Sequence, residues 1–180
     1  MSNIFMQIVY DAEHIWNKWK DNIPSNNSSS NPFQLPHEDI FMVVSPIYLQ
    51  DPNTQAGPDL SIRAEMGDEI RWAGITVSDD VEYSVIMYNI ILNPYVNPNK
   101  QVTSTPDPRL AYPYVPVPKE SGGVVDPLNC NFQQIPEYFL SCDITDYGEE
   151  SYSVQFYITR GERKLAYFEW DPKITVSPLD

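Results

Sequence analysis

The sequence predicts an all-β fold, an antiparallel β-sandwich of Greek-key or jelly-roll type with one short N-terminal helix. Three observations predict it. Short runs rich in β-branched and aromatic residues follow one another along most of the chain. Gly, Pro and Asn punctuate these runs as turns. Apolar residues recur at helical spacing over one short stretch, near the start. Short strands, few helices and frequent turns argue for two packed sheets or a barrel. A chain of 180 residues is expected to form one domain over 1–180.

The elements follow in order. Ile4-Phe5-Met6-Gln7-Ile8-Val9-Tyr10 reads as an opening strand. Asp11 stands in an N-cap position, and Ile15, Trp16 and Trp19 then predict a short amphipathic helix over 12–20. From 21 to 38 the composition turns to Asn, Ser and Pro, which marks a flexible loop. Residues 39–45 read as a strand that 46–50 extend past a kink, with turns at 51–53 and 56–58. Leu60, Ile62 and Ala64 alternate with Ser61, Arg63 and Glu65, and Met66-Gly67-Asp68 turns the chain. Residues 69–76 return with Ile70, Trp72 and Gly74 on one face, so this pair reads as a hairpin.

The stretch 81–92 holds too many apolar residues for simple alternation and predicts a central strand buried on both faces. Residues 93–127 carry many of the 17 prolines. Proline has no amide donor, so this stretch is expected to wrap over the domain as extended or edge structure. Residues 137–145, 151–160 and 164–176 read as three closing strands, with turns at 146–148 and 161–163. Trp170 is the expected core anchor of the last, and Asp171-Pro172 is expected to bend it.

Charge narrows the partners. Lys and Arg total 11 against 25 Asp and Glu, for a net charge of −14. Phosphates repel such a chain, so neither nucleic acid nor an anionic membrane surface is an expected partner. Near its pI of about 4.3 the mutual repulsion vanishes and association is expected to rise. The first ten residues lack the basic and apolar regions of a secretory signal, and no apolar run is long enough for a membrane helix. A cytoplasmic location is expected.

Candidate chemistry is sparse. Cys130 and Cys142 read as reduced thiols, although a disulfide between them stays open. The histidines are His14, on the helix, and His37, in His37-Glu38-Asp39, a polar loop leading into a strand. The last third of the chain has no histidine, which removes a cupredoxin-type copper site, and no Gly-x-Ser-x-Gly elbow is present. The sharpest candidate site is Ser78-Asp79-Asp80-Val81-Glu82, where Asp79, Asp80 and Glu82 with nearby carbonyls offer oxygen ligands for Ca²⁺. Such a loop beside aromatic residues is one way to bind carbohydrate hydroxyls; the alternative is a solvated turn in an acidic chain. Asp143 and Asp146 make a weaker second set.

Four segments resemble, in matching order, the PixA/AidA inclusion body proteins of bacteria. They are the opening strand with Asp11, His37-Glu38-Asp39-Ile40-Phe41-Met42-Val43, and the pairing of Ala64–Trp72 with Tyr83–Tyr88. The ending Tyr167-Phe168-Glu169-Trp170-Asp171-Pro172-Lys173-Ile174-Thr175-Val176 is the fourth. The resemblance implies a small β-sandwich protein, made in abundance and sometimes deposited as inclusions in host-associated or quorum-regulated growth. It brings no catalytic residues. With 5 methionines the chain departs from relatives described as methionine-rich, so methionine storage is not implied. The expected function is therefore a non-enzymatic, self-associating protein; the alternative is a Ca²⁺-assisted carbohydrate-binding module.

Overall fold

The computed structural model describes residues 1–93 and 101–179. The chain opens with strand β1 (Asn3–Tyr10), which buries Ile4, Met6, Ile8 and Tyr10 on one face. Helix α1 (Ala12–Trp19) follows, its N-cap Asp11 accepting from the backbone N–H of His14 at 3.1 Å. Then come β2 (Phe33–Gln34), β3 (Ile40–Val44), β4 (Asp59–Arg63), β5 (Glu69–Thr76) and β6 (Tyr83–Leu92). The second half is β7 (Asp107–Ala111), β8 (Tyr114–Ser121), β9 (Val124–Gln134), β10 (Glu137–Asp143), β11 (Gly148–Arg160), β12 (Arg163–Trp170) and β13 (Lys173–Ser177).

Two sheets enclose the core. One runs β3-β1-β5-β10-β7. The other is built on the long strand β11, with β6 along one side and β12 followed by β13 along the other. The last two form one interrupted strand: Val154 faces Trp170 and Ser151 faces Lys173, a register unbroken across Asp171-Pro172. The proline leaves the ladder intact because its carbonyl still accepts from Tyr152 N at 2.9 Å. Facing rings lock the sheets together, Tyr10 on Phe156 at 4.5 Å and Trp72 on Tyr152 at 5.4 Å between centroids.

The all-β sandwich with a short helix is as the sequence predicts, but among the described residues three pairings are parallel: β1 with β5, β2 with β12, and β4 with β13. Four expectations need correction. The expected hairpin of 60–65 with 69–76 does not form; β4 lies against β13 and β5 lies between β1 and β10, in opposite sheets. Alternation assigns a face but not a partner, and the intervening turn crosses between sheets. Buried Asp68 holds that crossing, accepting from Ser2 N at 2.5 Å and Glu65 N at 3.0 Å.

Residues 46–50 do not extend β3. Pro46–Tyr48 coils into a 3₁₀ turn, with Tyr48 N donating to Ser45 O at 2.9 Å. Strand β6 is not central: among the described residues it pairs with β11 alone, and its burial alternates over most of its length. Its second apolar set is explained instead by Tyr88, which packs with Tyr157 and Tyr167 on the outer face. Finally, the proline-rich stretch is extended or edge structure as expected, but it does not all wrap the sandwich. Strand β7 forms a sheet edge, and β8 and β9 make a separate two-stranded ribbon. Part of that expectation, residues 94–100, lies outside the described residues.

Candidate functional site

Strand β10 pairs with β5 on one side from Leu140 to Asp143, opposite Trp72 to Glu69, and with β7 on the other from Glu137 to Ser141; beyond Trp72 it diverges from β5. That divergence opens a groove of about 750 Å³. Ala73, Gly74 and Ile75 of β5 line it with Ile86 of β6, and Pro136 to Phe139 form the opposite wall. Phe5 and the end of β3 close a third side. Beside it, the Arg71 guanidinium lies between two rings, 5.3 Å from Phe5 and 5.1 Å from Phe139. Its hydrogen bonds to Glu69, at 2.7 and 2.9 Å, hold that carboxyl below the usual range against the opposing effect of burial; Ser141 donates to the same carboxylate. The lining is chiefly apolar, with Asp80 and Glu137 as its carboxylates.

The candidate calcium loop stands at one end of this groove. Asp79 and Asp80 both take positive φ, 52° and 56°, where Asp is tolerated better than most residues. Asp80 lines the groove, accepts from Thr76 Oγ1 at 3.2 Å, and has its pKa raised chiefly by desolvation. Glu82 turns to Arg160, which donates to it at 2.5 Å. The loop is thus tied to Thr76 on one side and Arg160 on the other, and the three carboxylates do not converge. Among the described residues no group of three or more His, Cys, Asp or Glu stands close enough to hold a metal ion. Asp146 is engaged by the N–H of Tyr147 at 2.7 Å, and Asp143 is exposed.

The other polar clusters serve local structure. Glu38 accepts from Lys18 Nζ at 2.5 Å, and Asp39 lies 3.8 Å from His14 Nε2, so the acidic loop is tied back to helix α1. Glu150 is buried between the sheets; one of its oxygens accepts from Val102 N, Thr103 N, Thr103 Oγ1 and Tyr152 OH. Both cysteines are free. Cys142 is buried, with the Trp72 indole N–H donating to its sulfur at 3.3 Å, and burial pushes its pKa up to about 11. Cys130 is exposed on the ribbon.

The ribbon is the feature that the sequence reading misses. Every residue of β9 is exposed, and β8 alternates exposed with half-buried positions over 114–118 and is exposed thereafter. Gly122 and Gly123, at φ of 60° and 79°, form the two-residue turn that joins the strands. That dipeptide was the available signal, flanked by Val115 and Val117 alternating with Pro116 and Pro118. The ribbon and its base carry Tyr112, Tyr114, Val124, Leu128 and Phe132, each more than half exposed.

A family model described as inclusion body protein, PixA, matches residues 2–176. Among solved structures, the crystal structure of an inclusion body protein (PixA) from Burkholderia cenocepacia J2315 superposes with a TM-score of 0.74. The alignment covers 98% of this chain and 96% of that chain at 18% sequence identity, a likeness of fold. No curated protein matches the chain. No helix among the described residues is long and apolar enough to cross a membrane.

Proposed function

The chain belongs to the PixA inclusion body protein family, and on that premise we propose that it is a non-enzymatic protein that self-associates and accumulates inside the bacterial cell. One observation carries this reading. Between Leu110 and Ile135 eight large apolar side chains stand exposed, on a chain whose net charge is −14. Single exposed apolar residues are ordinary, but this many on one exposed segment support a contact surface. The acids elsewhere keep copies apart at low concentration, and the apolar surface joins them when concentration rises or acidity removes the repulsion.

Static light scattering across pH 4 to 8 tests the proposal. The weight-average mass is expected to exceed the chain mass of 20.7 kDa at high concentration, and to climb as the pH approaches the pI of about 4.3. A mass of one chain throughout would defeat it.

A further inference from the structure

We infer that one face of the β8–β9 ribbon is the surface on which a second copy of this chain docks, like face against like face. The inference rests on the self-association proposed above.

The pairing of the strands defines the face. Tyr114, Pro116 and Pro118 stand opposite Gln134, Phe132 and Cys130, so these six share one side. None of them is an acid or a base. Tyr114 is 69% exposed and Phe132 66% exposed. The reverse side presents Asn131 and Gln133 beside the half-buried Val115 and Val117. A two-stranded ribbon is marginal by itself in water, because one pair of strands has no second layer on which to bury its apolar face. An exposed ribbon with such a face is therefore one half of a packed layer.

Charge selects the other half. Between residues 112 and 135 the charged side chains are Lys119, Glu120 and Asp126, one positive and two negative, for a net −1. The remaining −13 lies elsewhere on the chain. Two copies therefore repel over most of their surfaces and least at the ribbon. A partner recognised by charge would need complementary groups on this face, and the face has none. What it offers is flat apolar and aromatic area, which the same face of another copy matches about a two-fold axis.

Geometry also limits how contact is made. Side-chain and N–H directions alternate along a strand, and Pro116 and Pro118 share one parity. A proline at an inward position would break the ladder to β9, so both nitrogens face the outer edge of β8, which then lacks donors there. Strand addition at the β8 edge is blocked, so on that side of the ribbon contact runs through the face.

The test uses the full chain. Sedimentation of the wild type is compared with the Tyr114→Ser/Phe132→Ser double variant and with Phe132→Glu, at concentrations where the wild type associates. Unchanged circular dichroism and melting confirm that the exposed substitutions leave the fold intact. The dissociation constant is expected to rise on the order of tenfold or more in each variant. A bis-maleimide is expected to link copies through exposed Cys130 in the wild type and to fail in Cys130→Ser. If the wild type and variants associate equally, the ribbon assignment is overturned while self-association stands. If the variants dissociate but Cys130 does not link, the like-to-like arrangement is overturned. If the wild type stays monomeric, both this inference and the reading beneath it fail.

Discussion

Glu150 shows what a single buried side chain does here. Its carboxylate oxygen accepts from four donors: two N–H groups of the 102–103 segment, which would otherwise be buried without partners, and the Thr103 and Tyr152 hydroxyls, which also hydrogen-bond to each other at 2.8 Å. Each orphaned buried donor costs about 1–3 kcal/mol, and the hydroxyls can turn to new partners more readily than the N–H groups can. Glu150→Ala should therefore destabilise by about 3 kcal/mol or more, lowering the melting midpoint by roughly 6–12 °C at this size. Glu150→Gln keeps an acceptor and should cost less, as a thermal melt of both variants would reveal. The two cysteines make a second residue-scale contrast. With its pKa near 11, buried Cys142 stays a thiol at pH 8, while exposed Cys130 is accessible. A thiol titration should find one fast equivalent in the native chain and two after denaturation; two fast equivalents in the native chain would contradict the burial. Because the folded pKa of Cys142 lies above its ordinary value, the unfolded chain ionises first, so stability contributed by this group declines as pH rises from about 9 to about 11. None of these partners was legible in the sequence. The burial of Glu150 depends on donors some 47 residues away, which local sequence does not show.

At the scale of elements, spacing named faces well and partners poorly. The alternation of Ile4, Met6, Ile8 and Tyr10, the capped helix after Asp11, and the break at Asp171-Pro172 were all readable, because each depends on local backbone chemistry. The parallel pairings of β1 with β5 and β4 with β13 were not, since they join segments brought together by the chain's long returns. The prolines of β8 were legible as a bar to interior strands but not as guards of an exposed edge. That role makes a prediction. Pro116→Val/Pro118→Val restores two edge donors beside exposed apolar residues, so it should convert ordered association into fibrillar strand addition. Thioflavin T fluorescence and electron microscopy are expected to show fibres in this variant and none in the wild type; an unchanged wild-type pattern would show that the edge is closed by something else.

At the scale of the whole molecule, charge and shape divide the work. The sandwich buries two facing aromatic and aliphatic layers and carries nearly all of the negative charge outward. The ribbon carries almost none of it and leaves its apolar side chains in water. The acidic total was plain from composition. Its uneven distribution mattered only once the ribbon was seen to stand apart. The carboxylates of Asp80 and Glu82 illustrate the same limit: close in sequence, they are drawn to Thr76 and Arg160 rather than to a common centre. The measurement that bears most directly on the account is sedimentation velocity of the wild-type chain at neutral pH over a wide range of concentration. Reversible self-association predicts a weight-average sedimentation coefficient that rises steadily with concentration above that of a 20.7 kDa monomer. A single monomeric species at every concentration would contradict it.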